Sequence, residues 1–401
     1  GVGQGSRVFW LDDARRLPAV HQAHSPESQG RRTVSERRRI AVWVSNDLTF
    51  DQRVKKTCET LTSAGWTPVL VGREMPNSVP WSGPWEAHRL KLAATRGPRF
   101  YASLQRGLSR WLREHASEID AIWCNDLDTL APAVAWGKLP VMYDSHEYFT
   151  EAAGLTGRPF QRGVWLMVER AIFPRLKAVI TVNEGIADAY FNRYPRARGG
   201  RPLVVRNMPR MREKAVESSV NWRERLGIPV EAPFLILQGA YLDKDRGVVQ
   251  AVGALQEYTA AYLVVVGAGE EWEWAQSQVE SFNGRLVVLP KMAFDELCSL
   301  TASADVGLSL DQGVHGNYLM SLPNKLFDYI HAGIPVVASP MPEVVRVVEA
   351  WNIGRVVRDS SPAGIIEAVD ALSIPEILFE ISSLFNFSPL DIKSSHDIAF
   401  G

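Results

Sequence analysis

The chain has 401 residues, 46% of them hydrophobic and 22% charged, which is enough apolar mass for a packed core and enough length for two domains. Its formal net charge of -1 gives no global attraction to polyanions, so no nucleic acid partner is expected. Cys58, Cys124 and Cys298 are odd in number and sit in separate apolar runs, which fits neither a disulfide framework nor a zinc site and points to a reducing, cytoplasmic compartment.

Residues 1–38 carry charges and prolines without the apolar core of a secretory signal, and are expected to form a disordered arm. From Arg39 onward, short β-branched runs alternate with longer amphipathic stretches, the pattern of βαβ units and a parallel sheet. Strands are predicted at 40–44, 68–71, 121–124, 141–143, 178–182 and 203–205. The first helix is marked by the capping-box spacing of Thr49 and Gln52, with Phe50, Val54, Cys58 and Leu61 on one face and Gly65 closing it. The rhythm breaks after Asn207, and 208–232 reads as a linker. It restarts in a second domain, 233–373, with strands at 234–237, 262–266, 286–289, 306–310 and 335–338. The tail, 374–401, shows no sustained helical period. No apolar run approaches the roughly 20 residues that span a bilayer.

In open parallel sheets, ligands bind beyond the carboxyl ends of the strands. In the first domain those positions hold Asn46 and Asp47, Asn125 and Asp126, Asp144, His146 and Glu147, and Asn183 and Glu184. In the second they hold Gln238, Gly239 and Ala240, Gly267 and Gly269, and Asp311, Gln312 and Gly313. Glycines on one edge and polar side chains on the other point to a phosphate-bearing donor on the second domain and a hydroxyl-bearing acceptor on the first. Pro323 suits the first turn of a helix that carries Lys325, Leu326, Asp328 and Tyr329 and is capped by Gly333. The start of such a helix is an anion site to which Lys325 adds a full charge; the competing reading is a surface helix with a Lys/Asp pair at i, i+3.

The triplets Asp126-Leu-Asp128 and Asp243-Lys-Asp245 imitate a carboxylate metal motif. Lys325 and Arg246 already supply cations, so no metal is expected. Gly267-Ala-Gly269 starts a dinucleotide fingerprint, but Trp272 fills its third glycine position, and a tight turn explains the pair.

The run from Ser321 to Ser339, with Gly239 to Gly247 before it and Glu343 after it, resembles the donor half of retaining glycosyltransferases of family 4, bacterial type. The segments Ser45-Asn-Asp-Leu-Thr-Phe-Asp-Gln-Arg-Val54, Asn125-Asp-Leu-Asp-Thr-Leu130, Tyr143-Asp-Ser-His-Glu147 and Val205-Arg-Asn-Met-Pro209 are similar to that family's acceptor-side and hinge motifs. The resemblance implies two Rossmann-like domains facing each other across a cleft, the GT-B fold. It places Asp328 where the second glutamate of the family's paired motif holds the ribose. The first glutamate falls on Met320, with Asn317 and Ser321 able to supply hydrogen bonds. Arg246 takes the place of a phosphate-binding lysine, Ala240 stands where an arginine is expected, and Lys325 restores that charge. Gly239, Lys291, Leu322, Pro323, Asn324 and Glu343 complete the implied donor site. His146 matches a histidine beside the reacting sugar, its other reading being a satisfied structural histidine. Asn46, Asp47, Arg53, Asn125, Asp126 and Glu147 form the acceptor side, and Asp144 or Glu147 orients the imidazole.

His146, Arg246 and Lys325 are thereby the implied catalytic groups of a hexosyl- or related transferase in polysaccharide biosynthesis. It would use a nucleotide-sugar as co-substrate, no cofactor, and a glycan, lipid-linked or small-molecule acceptor. The alternatives are a nucleotide-sugar epimerase and a non-catalytic sugar-nucleotide or glycan-binding protein. One further segment leaves two readings open. Arg96, Arg99, Arg106, Arg110 and Arg113 accompany Leu104, Leu108, Trp111 and Leu112 at helical spacing, so the leucine face either packs on the sheet or lies on the inner face of an anionic membrane.

Overall fold

A computed structural model describes residues 38–48, 52–76, 78–208, 220–313 and 319–385. Residues 1–37 of the expected arm, Thr49 and Phe50 of the first helix, Asn317 and the end of the tail lie outside them, while Arg38, expected in the arm, opens the first strand.

The first sheet consists of β1 (Arg38–Trp43), β2 (Trp66–Arg73), β3 (Glu86–Leu90), β4 (Ala121–Asn125), β5 (Val141–Ser145), β6 (Ala178–Thr181) and β7 (Leu203–Val204). Their order is β3-β2-β1-β4-β5-β6-β7, with parallel ladders from β3 through β6. Its helices are α1 (Gln52–Ser63), α2 (Gly97–His115), α3 (Leu130–Trp136), α4 (Pro159–Ile172) and α5 (Glu184–Arg193).

The second sheet consists of β8 (Phe234–Gly239), β9 (Tyr262–Gly267), β10 (Leu286–Pro290), β11 (Val306–Ser309), β12 (Val336–Ala338) and β13 (Gly354–Val356), in the order β10-β9-β8-β11-β12-β13, with parallel pairing. With it go α6 (Trp222–Leu226), α7 (Val248–Glu257), α8 (Glu270–Gln278), α9 (Phe294–Ala302), α10 (Asn324–Ala332), α11 (Pro342–Trp351), α12 (Pro362–Asp370) and α13 (Ile374–Phe385). Each sheet reverses its direction of growth at one point, between β1 and β4 in the first and between β8 and β11 in the second. That is where an open α/β sheet parts its helices and leaves room for a ligand.

The central strands read as continuous apolar runs because both faces are covered: Ile40, Ala41, Val42 and Trp43 are all fully buried, as are Leu263, Val264 and Val265. The edge strands escape that pattern, β3 and β13 among them. β3, with sequence EAHRL, lies at a sheet edge and is nowhere fully buried. β13 is only three residues long and also lies at an edge. Edge strands need less apolar surface and leave a weaker trace.

On α1 the expected face holds, with Val54, Cys58 and Leu61 packed with Ile40, Val42 and Leu70. The apolar side of α2 is committed to the core: Phe100, Leu104, Leu108, Trp111 and Leu112 are buried, and Trp111 meets Trp43 edge to face at 6.1 Å. This overturns the membrane-facing reading of those leucines and leaves Arg96, Arg99, Arg106, Arg110 and Arg113 exposed to solvent.

Two compact units emerge. The first takes the chain up to Phe149 with Gly163–Thr181 and Tyr190–Leu203; the second takes Thr150–Arg162, Val182–Ala189 and the chain from Val204. A single cut near Asn207 therefore misses two excursions. The expected linker also has structure: Asn221 caps α6 by accepting from the Glu224 amide. Trp222 is buried and donates to Ser299 Oγ at 2.8 Å. The tail is corrected too, since α13 is a helix that buries Ile377, Leu378 and Ile381, with Pro375 in the first turn where its missing N–H costs nothing. Among the described residues, no helix is long and apolar enough to cross a membrane.

Candidate functional site

At the reversal point of the second sheet, the chain leaves β8 through Gln238 and Gly239 and reaches α7 through Gly247. Gly247 has φ +83°, and a Cβ there would lie 2.4 Å from both the carbonyl oxygen and Cβ of Leu310. Only glycine lets the loop pass this close to the end of β11. The close approach places Arg246 beside Asp311, two residues beyond β11, with Nη1 3.1 Å from Oδ1. The other oxygen, Oδ2, is 2.9 Å from Lys325 Nζ. Asp311 is 2% and Lys325 8% exposed. One buried carboxylate thus holds the two cations that the sequence assigned to a diphosphate. Asp311 was visible only as a polar residue after a strand, and nothing in its neighbours marked it as their common partner.

Lys325 stands in the first turn of α10. Pro323 is the residue preceding the helix, not its first turn as expected, and it offers no side-chain cap, so the amides of that turn remain available to an anion. Gly333 ends α10 with φ +75°. Leu322 packs against the core, which leaves only its backbone for a ligand; Ser321 is half-buried and Asn324 exposed.

One turn on, Asp328 accepts from Gln238 Nε2 at 3.3 Å, while Gln238 Oε1 is fixed by Thr301 Oγ1 at 2.7 Å. Burial raises the Asp328 carboxyl to about 6, against the lowering effect of Gln238. Gly239 is half-buried and Ala240 exposed at the end of β8, and Lys291 lies over the Tyr241 ring at 3.5 Å. Glu343, in the first turn of α11, is 2% exposed. Its Oε1 accepts from the Gly185 amide at 2.9 Å and lies 3.3 Å from Arg346; burial raises its carboxyl. Met320, where a glutamate was expected, offers its carbonyl to Asn183 Nδ2. In the 243–245 triplet the Asp243 carboxylate accepts from the Glu270 amide at the start of α8, and the Asp245 backbone amide donates to Glu271.

At the reversal point of the first sheet, Arg53 and Asp144 form a buried pair, Nη2 to Oδ1 at 2.5 Å and Nε to both oxygens at 3.2 Å. Burial alone would raise the Asp144 carboxyl; Arg53 and His146 reverse this and hold it well below the usual carboxylate range. Asn125 Nδ2 donates to the Trp43 carbonyl at 2.8 Å, so its oxygen faces His146 Nε2 at 3.1 Å and makes that nitrogen the donor. His146 Nδ1 lies 3.6 Å from Asp126 Oδ2, and Nε2 lies 3.8 Å from Asp144 Oδ2. Burial disfavours the imidazolium, but Asp126 and Asp144 outweigh it and raise His146 to about 9. Both ring nitrogens are therefore turned to protein groups.

Asp126 sits at φ 60°, ψ 162°, a conformation costly for any residue but glycine. It also accepts from the His146 amide at 3.1 Å. Asp128 is raised to about 7 by burial and by Asp126.

The proposed acceptor set divides. Arg53, Asn125 and Asp126 join Asp144 and His146 in one network. Asp47 is instead engaged by Ser78 and by Arg89 at 3.5 Å. Asn46 is exposed, its carbonyl taking the Arg73 amide at 3.1 Å, and Glu147 is half-buried.

Two family models match the chain: the glycosyl transferase 4-like domain over residues 50–207 and the glycosyl transferases group 1 over residues 240–373. Among solved structures, sucrose-phosphate synthase from Thermosynechococcus elongatus superimposes with a TM-score of 0.65 at 18% identity, covering 90% of this chain and 95% of that one. WaaG, a glycosyltransferase involved in lipopolysaccharide biosynthesis, gives 0.58 at 17% identity over 90% and 100%. HepE from Anabaena, in complex with UDP, gives 0.61 at 13% identity over 89% and 97%. A comparison with curated protein sequences finds no match. Two parallel sheets of matching strand order, the two domain models and these shared folds agree, and the chain belongs to the GT-B glycosyltransferases of the family 4 type.

Proposed function

We propose that this transferase moves a hexosyl or related sugar from a nucleotide-sugar to a glycan, lipid-linked or small-molecule acceptor in polysaccharide biosynthesis, with retention and without a metal ion. The observation that carries the reading is the Arg246, Asp311 and Lys325 group at the reversal point of the second sheet. A leaving nucleoside diphosphate gathers negative charge as the glycosidic bond breaks. Two fixed cations and the uncapped start of α10 are the pre-placed donors that such a transition state needs. In this reading Asp328, next to Gln238 and one turn beyond Lys325, has the part of accepting from a ribose.

His146, charged at neutral pH, does not serve as the base for the acceptor hydroxyl. Its part is to hold Asn125, Asp126 and Asp144 in one arrangement on the acceptor side, and a departing phosphate oxygen receives the acceptor proton in a same-face reaction. That HepE was obtained with UDP makes UDP the first nucleotide to try. The test is a thermal-shift panel of nucleoside diphosphates, since a ligand that binds only the native state raises its stability. Turnover of the matching donor with chelator present then follows, with the anomeric configuration read by NMR. Binding without turnover makes the chain a sugar-nucleotide-binding protein, inversion removes retention, and an epimerised donor makes it an epimerase.

A further inference from the structure

Arg246 is carried on a strained piece of backbone. Asp245 before it sits at φ +70° and Gly247 after it at φ +83°, and an aspartate adopts that left-handed conformation only at a cost, so its surroundings must hold it there. The backbone groups on either side of Arg246 show what does. The Asp245 carbonyl takes the Gln312 amide at 2.8 Å. The Asp245 amide donates to Glu271 Oε1 at 3.1 Å, and the Val248 amide donates to Glu271 Oε2 at 3.2 Å. One half-buried carboxylate thus spans Arg246, gripping the chain one residue before it and two residues after it. Val248 is also the first residue of α7, so the same carboxylate satisfies one of the amides that a helix start leaves open.

Glu271 reaches this position because the turn from β9 into α8 lies against the turn from β8 into α7. The Leu242 amide donates to the Ala268 carbonyl at 2.6 Å, the Glu271 amide to the Leu242 carbonyl at 2.9 Å and the Glu270 amide to Asp243 Oδ1 at 3.2 Å. The two glycines of Gly267-Ala-Gly269 permit the contact. A Cβ at residue 267 would lie 2.1 Å from the Gly239 carbonyl oxygen, and one at residue 269, where φ is +128°, would lie 2.9 Å from the Leu242 amide nitrogen. The pair therefore serves the packing of two turns, and that packing delivers Glu271 to the segment that carries Arg246. We infer that Glu271 is a positioning residue for the transferase, fixing that segment so that Arg246 stands beside Asp311 where the donor phosphates are met. The inference rests on the reading of Arg246 and Lys325 as the phosphate site of the donor.

Isothermal calorimetry of the full chain with UDP, GDP, ADP, CDP and dTDP selects the diphosphate that binds most tightly, and a double-mutant cycle with it is the test. Glu271→Ala and Arg246→Ala are each expected to weaken binding by about tenfold, and the double variant by no more than Arg246→Ala alone, because the carboxylate acts through the arginine. A purely structural role would leave the affinity of the folded protein unchanged and would not cancel in the Arg246→Ala background. Glu271→Gln keeps the length of the side chain and one acceptor oxygen but turns an N–H toward the other amide, so its affinity should fall between those of the parent and Glu271→Ala. It carries the cycle if circular dichroism shows Glu271→Ala to be unfolded. A Glu271→Ala protein with the parent's affinity, or one whose loss adds in full to that of Arg246→Ala, overturns the inference while the donor-site reading stands. An Arg246→Ala protein that binds as tightly as its parent, or a parent that binds none of these diphosphates, refutes the donor-site reading and the inference with it.

Discussion

Replacing Asp311 with asparagine should weaken the protein and at the same time sharpen its response to a nucleoside diphosphate. The side chain keeps its size but loses the charge that faces Arg246 at 3.1 Å and Lys325 at 2.9 Å. Lys325 is 8% exposed and Asp311 2%, so the lysine would be left as a buried charge without its counter-ion. Losses of this kind run to about 3–5 kcal/mol, which for a unit of this size lowers the melting temperature by about 9–15 °C. Lys325 would then lack the carboxylate it faces, and a bound diphosphate would supply negative charge in its place. The variant's melting temperature should therefore rise more with added UDP or its matching analogue than the parent's does. Scanning calorimetry of both proteins at several ligand concentrations measures this directly. An Asp311→Asn protein as stable as its parent, or one whose ligand-induced shift is no larger, would refute the account of Asp311 as the internal counter-ion of a phosphate site.

Lys325→Ala should lower nucleoside diphosphate affinity by about 1.5–3 kcal/mol, roughly 10- to 150-fold, read by isothermal calorimetry; unchanged affinity in a folded variant removes it from the site. Asp328 must be ionised to accept from a ribose, and with its carboxyl raised to about 6 affinity should fall as pH drops below that value. Because a terminal phosphate titrates nearby, the measure is the difference between the parent and Asp328→Asn. The raised His146, at about 9 against 6.5 unperturbed, contributes stability that is fully present below pH 6.5 and is lost as pH climbs through 9. The contribution amounts to about 3 kcal/mol at most. Urea unfolding at pH 6.5 and 9.5 should show that loss in the parent and a much smaller one in His146→Gln. Gly247→Ala forces a side chain into φ +83° against the Leu310 carbonyl and should cost about 2 kcal/mol or more by denaturant midpoint.

The central strands were legible because their residues are buried on both faces, as Ile40 to Trp43 and Leu263 to Val265 are, and β-branched runs of that length have few other uses. β3 was not, since EAHRL at a sheet edge buries no side chain completely and its charges resemble a loop. The helix α6 hid among charges because a single tryptophan, Trp222, anchors it. For α13 the signal was present in Ile377, Leu378 and Ile381, but the helix is 12 residues long and its period is not sustained over the tail.

Candidate site residues at strand ends are legible by position alone, as Asn125, Asp126 and His146 are, whereas Arg246 was assigned from the family resemblance. Partnerships are not legible. That Asp311 joins Arg246 to Lys325, and that Arg53 reaches Asp144, 91 residues away, depends on strands meeting across crossovers. No local pattern of residues encodes such a meeting.

The two reversal points treat charge in the same way, and the similarity has a physical reason. Arg246 and Lys325 approach opposite oxygens of one carboxylate, and Arg53 and His146 both lie against Asp144. Two cations this close would repel each other strongly if left unpaired, since like charges a few ångströms apart interact by several kcal/mol even where the effective dielectric constant is about 20. A buried carboxylate between them keeps the pair in place without a ligand. In the second sheet the two cations stand beside the uncapped start of α10, which suits a diphosphate that carries more negative charge than Asp311 does. In the first sheet Asp126 adds a second carboxylate, so the network ends near neutrality, and it does so in a backbone conformation that Asp126 adopts only at a cost. A strained residue survives where its side chain must point one way. Here that direction brings its carboxylate to both the amide and the ring of His146. Asp126→Gly should relieve the backbone while releasing the imidazole, so the His146 pKa, followed by NMR titration, should fall from about 9 toward its ordinary value. A pKa that stays at 9 in the glycine variant would mean that Asp144 alone sets it.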